Sequence, residues 1–155
     1  MDFLYMKPIT ILLKDILLGY KLAKRNSSPE VTFQKLLVIQ DTLNDFTFLI
    51  PCTIYIKAGD VIEMWEQKVV PIIGLPQAII SDQDPLFIAK EFQKWLQEKG
   101  IEHKASSSYH SQTDGQSERK NKSIILMFVM EESQGNNWVK AAPKVQTQVN
   151  ARISE

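Results

Sequence analysis

At 155 residues, with 44% hydrophobic and 23% charged side chains, the chain has the size and balance of one globular domain with a real core. Lys and Arg number 18, as do Asp and Glu, so the formal net charge is zero and no bulk basic field draws in nucleic acid. One cysteine, Cys52, excludes an internal disulfide, and with only two histidines beside it a His/Cys zinc site is excluded as well. No apolar run reaches the roughly 18 residues of a membrane-spanning helix, and no secretory leader is predicted.

In chain order, residues 1–8 read as an N-terminal extension ahead of a core spanning 9–155. Residues 9–18 form an apolar run broken only by Lys14 and Asp15, with Gly19 behind it. The run is too short for periodicity to separate strand from helix, and we read 9–17 as a buried central strand. Lys21 to Pro29 is polar and turn-rich. Leu36–Ile39 and Phe46–Ile50 predict a hairpin around the turn Thr42–Asp45, with Pro51 ending its second arm.

Ala58, Val61, Ile62, Trp65 and Val69 recur at helical spacing, and Pro71 and Gly74 mark the end of that helix. A short apolar strand, Gln77–Ile80, runs into Ser81-Asp82-Gln83-Asp84-Pro85. Phe92, Trp95 and Leu96 give residues 88–99 an apolar helical face closed by Gly100. Ile101–Ser106 predicts another strand. A polar loop from Tyr109 to Gly115 opens into a helix from Gln116, whose apolar residues are Ile124, Ile125, Phe128 and Val129. A last helix begins near Asn137, carries Trp138, Val139, Val145 and Val149, and is kinked or restarted by Pro143. The order β-β-β-α-β-α-β-α-α predicts an α/β domain with a mixed sheet: a three-strand antiparallel meander, further strands, and helices on both faces.

The chemistry concentrates between Gly74 and Lys122. The words IISDQDPLF and YHSQTDGQSERKNK stand there, and 35 residues separate Asp82 from Glu118. An acid at a strand end and another in the first turn of a helix are half of a metal site once the fold joins them. These words and this spacing resemble the integrase catalytic core of gypsy-type LTR retrotransposons, within the retroviral integrase family. The resemblance covers residues 34–153 well and 9–33 poorly. It implies an RNase H-like fold and a triad of two Asp and one Glu holding Mg²⁺ or Mn²⁺. It also implies DNA end processing and strand transfer, DNA as partner, and a homodimer. The zinc-binding domain that usually precedes such a core is expected to be missing, as is the C-terminal DNA-binding domain.

Hard cations favour carboxylate oxygens, and two ions about 3.5–4 Å apart suit phosphodiester transfer. The resemblance carries Asp82 and Glu118 over as metal ligands. For the first acid it points to Asp15, before Gly19, with Asp2 in Met1-Asp2-Phe3 as the alternative. Asp41 matches a family Asp that binds no metal. Asp84, before Pro85, reads as a turn or helix-capping residue. Arg119, Lys120 and Lys122 are candidate DNA contacts on the Glu118 helix, and Tyr109, His110 and Gln112 on the loop before it. Ser111 stands where the family has Pro, which predicts a looser loop. His103 reads as structural or exposed, Cys52 as no nucleophile, and the three tryptophans as core. Two rival readings stay open: a decayed or domesticated fragment that only binds nucleic acid or protein, and a cellular RNase H-like nuclease. An intracellular setting, nuclear or cytoplasmic, is expected of any of them.

Overall fold

The computed structural model describes the backbone of residues 1–12, 30–105 and 111–151, and the side chains of 1–6, 32–105 and 119–151. Strand β1 (Asp2–Leu12) pairs antiparallel with β2 (Glu30–Gln40), setting Asp2 opposite Val38 and Leu12 opposite Glu30. β2 pairs antiparallel with β3 (Thr47–Thr53), from Gln40 opposite Thr47 to Phe33 opposite Thr53. Both ladders break their register at Gln34, which faces Met6–Pro8 on one side and is skipped on the other. Pro8 has no N–H to give to the ladder, so a bulge there is where the strand tolerates it.

Residues 2–8 are therefore the first part of the meander and not an extension ahead of the core. The difference has a physical source. Pro8 splits β1 into two short apolar pieces, Phe3–Met6 before it and Ile9–Leu12 after it, so the sequence does not read as one strand. Residues 13–17 of the strand expected over 9–17, Asp15 included, lie outside the described residues. Pro51 does not end β3 either: the strand runs on to Thr53, with Pro51 opposite Leu36. β3 has a neighbour in the meander on one side only, and such an edge accepts a residue that cannot donate.

β2 distributes its side chains by the two-residue period of a strand. Leu37 and Ile39 enter one core layer, and Leu36 and Val38 the other. Helices cover both. The first layer is closed by α1 (Ala58–Met64), a π-helical turn (Trp65–Val69), α2 (Val70–Ile73), α3 (Pro85–Ile88) and α4 (Lys90–Lys99). The π turn widens the helix just before Pro71, which cannot complete an ordinary helical bond, and Gly74 ends the run at φ 79°. Gly100 closes α4 in the left-handed conformation at φ 68°.

Between these helices β4 (Ala78–Ser81) and β5 (Glu102–Ala105) form a parallel pair. The Met1 nitrogen donates to the Ile80 carbonyl at 2.8 Å, which brings the start of β1 to β4. The strands thus run in both senses, as expected, in an antiparallel three-stranded ladder and a parallel two-stranded one set beside it. The second layer is closed by α5 (Ser111–Ser133) and α6 (Trp138–Ala151). α5 begins five residues earlier than its pattern suggests, because a lone Gly115 costs about 1 kcal/mol relative to Ala and does not stop a helix. Ser111, expected to loosen a loop, is its first residue. Asn137 starts α6 by accepting from the Lys140 N–H at 2.8 Å, and Pro143 stands inside the helix without ending it.

Candidate metal centre and nucleic-acid interface

Ser81 is the last residue of β4, and Asp82 leaves the strand immediately after it. The turn that follows is fixed by its own side chains. Asp82 Oδ1 accepts the Asp84 N–H at 3.1 Å, and Asp84 Oδ1 accepts the Leu86 N–H at 3.0 Å. Asp84 is thus the N-cap of α3, the capping role read from its place before Pro85. Phe87, one turn into α3, stacks on Phe3 of β1 with ring centroids 5.1 Å apart and planes 9° from parallel. That stack locks the start of β1 beside the end of β4.

Asp2 therefore lies near Asp82. The Asp82 carboxyl is pushed above the usual carboxylate range, first by partial loss of solvent and then by the negative charges of Asp2 and Asp84; the Asp84 N–H partly offsets this. An acid raised by acidic neighbours sits in a site of excess negative charge, the condition a hard cation relieves. Among the described residues no group of three His, Cys, Asp or Glu side chains converges. Glu118 belongs to the α5 backbone, but its side chain is outside the described set, as is that of Gln112; Tyr109 and His110 lie outside the described residues altogether.

The basic residues of α5 divide. Arg119 and Lys122 are exposed. Lys120, read with them as a DNA contact, is instead bound to the β2–β3 turn: its Nζ donates to Asp45 Oδ1 at 2.8 Å and to the Asp45 carbonyl at 3.0 Å. Asp45 holds a left-handed φ of 60°, and Gln40 donates to the same carboxylate. The Lys120 ammonium keeps the Asp45 carboxyl below its ordinary range.

Sequence reasoning also missed a hydrogen-bonded chain behind Asp82. Ser81 Oγ donates to the Asp82 carbonyl at 2.8 Å and lies 2.7 Å from His103 Nε2. His103 Nδ1 lies 2.8 Å from Gln93 Nε2, which also donates to the Phe87 carbonyl at 2.7 Å. Only the parallel register of Ile79 with His103 could have signalled it, and register is not written in so short a pair of strands. Burial pulls the His103 pKa down, which favours its neutral form. Cys52 is buried and its thiol pushed up to about 12, chiefly by burial, so it is inert as a nucleophile. Trp65, Trp95 and Trp138 are core residues.

A mixed sheet clothed on both faces, with acids at the adjoining ends of β1 and β4, defines an RNase H-like core of the integrase kind. The HTLV-2 integrase catalytic core domain in complex with magnesium shares this fold. Its dimeric form gives a TM-score of 0.58 at 18% identity over 94% of this chain and 82% of that one. Its trimeric form gives 0.57 at 18% identity over 94% and 81%. A simian T-cell lymphotropic virus intasome in complex with PP2A regulatory subunit B56 gamma gives 0.57 at 18% identity over 77% of this chain and 41% of that one. In sequence, the Transposon Tf2-3 and Tf2-4 polyproteins of Schizosaccharomyces pombe are each 31% identical over 122 residues, 78% of this chain. The chain spans 9% of the length of those polyproteins. No protein-family model matches the sequence. Sequence and fold agree: the chain is similar in sequence to a stretch of transposon polyproteins and has the fold of retroviral integrase catalytic cores.

Proposed function

We propose that the chain carries the centre for DNA end processing and strand transfer of a gypsy-type LTR retrotransposon integrase, dependent on Mg²⁺ or Mn²⁺. The observation that carries this reading is the approach of Asp2 to Asp82 at the joined ends of β1 and β4, close enough for one charge to raise the other's pKa. That proximity supports Asp2 as the first metal-holding acid, ahead of Asp15. Glu118, 35 residues beyond Asp82 and on the first part of α5, is the third.

Asp2, Asp82 and Glu118 would hold the cations, which would supply activation of an attacking oxygen and charge stabilisation of a leaving one. Asp2 lies on β1 and Asp82 in the turn just after β4, and the Met1–Ile80 hydrogen bond and the Phe3–Phe87 stack bring the two segments together. The Asp82 turn is tied through Asp84 to α3, and the Met1 ammonium beside it offsets part of the negative charge. Arg119 and Lys122 on α5 supply phosphate contacts, which position DNA without reading its sequence. Lys120 contributes through Asp45, by holding α5 to the meander. DNA ends and target DNA are the partners, a homodimer the assembly, and the nucleus or cytoplasm the setting. The magnesium complex of the HTLV-2 core and the dimeric form of that core support the metal and the assembly.

A strand-transfer assay on the recombinant chain with Mn²⁺ tests this. Asp82→Asn, Asp2→Asn and Glu118→Gln should each abolish joining while leaving the fold intact, and Asp15→Asn should leave joining unchanged. Joining by Asp82→Asn at the parental rate would remove the assignment. Loss in Asp15→Asn alone, with Asp2→Asn active, would return the first position to Asp15.

A further inference from the structure

Gln93, His103 and Ser81 come from α4, β5 and β4, and they meet in one chain of hydrogen bonds that ends on the backbone of Asp82. Its direction is fixed at the far end. The Phe87 carbonyl can only accept, so the Gln93 atom 2.7 Å from it is the amide nitrogen. That nitrogen's other hydrogen points to His103 Nδ1, which must then be the unprotonated ring atom. The proton of the neutral imidazole sits on Nε2 and is given to Ser81 Oγ, whose own hydrogen goes to the Asp82 carbonyl. Every donor and acceptor has one role. The edge of the system is packed as well: Phe92 meets the His103 ring edge-to-face at 6.1 Å, and Ser81 is 2% exposed.

We propose that His103, with Ser81 and Gln93, is a positioning unit that holds the Asp82 backbone so that its carboxylate faces Asp2 in the geometry a divalent cation needs. The inference rests on the metal-centre reading above. None of the three residues touches the cation or the DNA. Their effect is to remove a rotational freedom. With its carbonyl held by Ser81 and its Oδ1 engaged by the Asp84 N–H, Asp82 has little play about the peptide that leaves β4. Outer partners of metal ligands typically alter metal affinity about 10- to 100-fold when they are removed.

Mn²⁺ titration of the folded chain by calorimetry, with no DNA present, is the test. The set comprises the parent, Asp82→Asn, Ser81→Ala, Ser81→Thr, His103→Phe, Gln93→Met and the double variant Ser81→Ala/His103→Phe. Saturable binding by the parent that Asp82→Asn abolishes establishes the metal centre. Ser81→Ala and His103→Phe should then each weaken Mn²⁺ binding about 10-fold or more. Ser81→Thr, which keeps the hydroxyl, should bind like the parent. The double variant should be no weaker than the worse single change, because both cut the same chain. If His103→Phe fails to fold, Gln93→Met severs the link one step further back and is read in its place. Parental Mn²⁺ affinity in folded Ser81→Ala and His103→Phe overturns the positioning role and leaves the metal centre standing. Absence of saturable Mn²⁺ binding in the parent overturns the metal-centre reading, and this proposal with it.

Discussion

The two core layers of the sheet differ in what they are built from and in what they serve. The layer under α1 and α4 is a connected set of aromatic rings: Phe3 on Phe87, Phe87 against Phe92, Phe92 against Trp95, and Trp95 against Trp65. The layer under α5 and α6 includes Phe128 edge-on to Trp138 and the buried Phe33, together with small and branched residues such as Ala142, Val145 and Ile124. Rigid rings run directly to the end of β4, where Asp82 and its supporting chain sit. The other layer is closed by α5, which is tied back by Lys120 to Asp45. One layer is thus braced at its edge by packing, and the helix over the other by an ion pair.

The largest effects should come from the rings. Phe92→Ala and Phe128→Ala should each cost about 3–5 kcal/mol, read from urea midpoints, since both side chains are buried. Only the first should also weaken Mn²⁺ binding in the folded protein, because only Phe92 packs on His103. Equal loss of binding in both would erase the distinction between the layers.

Next in size is the bond between α5 and α6. Glu131 is buried, with Lys144 Nζ at 2.8 Å and Asn136 Nδ2 donating at 2.8 Å. Lys144→Met should lower the melting temperature clearly more than Lys94→Met, whose partner Glu98 is exposed and whose ion pair is worth at most about 1 kcal/mol. Hydrogen bonding from Lys144 lowers the Glu131 pKa in the fold. The stability it contributes is therefore present above the ordinary carboxylate range and lost as pH falls through the folded value, so the Lys144→Met penalty should shrink in acid.

Smaller again is Lys120→Met. Its exposed partner limits the loss of stability to at most about 1 kcal/mol, yet strand transfer should fall because the start of α5 is released. The smallest change in stability belongs to Asp82→Asn. Asp82 is raised in the fold, so its ionisation opposes folding; that opposition builds as pH rises from the ordinary carboxylate value to the folded one and is complete above it. Without metal, the Asn variant should melt no lower than the parent near pH 7, with any advantage vanishing below the carboxylate range. A clear drop in metal-free melting temperature would show that the carboxylate is a structural group.

Much of the fold is legible in the sequence where a single period governs a segment. Trp95 and Leu96 on α4, Gly100 behind it, and the apolar arms of the β2–β3 hairpin each express one preference. β1 is harder because Pro8 interrupts its pattern, and the apolar run after it draws the strand toward Asp15. Of the apolar residues Ile124, Ile125, Phe128 and Val129 on α5, only Ile124 and Phe128 are buried; Ile125 is 41% exposed and Val129 54%. A helix with apolar residues nearly all round gives no phase. The Asp82–Glu118 spacing is visible as text. The polar chain behind Asp82 is not, because serine, histidine and glutamine at those positions have no periodicity that marks them as partners.

Cys52 has a practical consequence of its own. It is the chain's one sulfhydryl, it sits fully shielded on the edge strand of the meander, and its thiolate is scarcely populated near neutrality. A disulfide reagent added to the native protein can react only when β3 lifts away from the helices above it. The labelling rate is thereby a clock for that excursion, wound into the protein without any engineered probe.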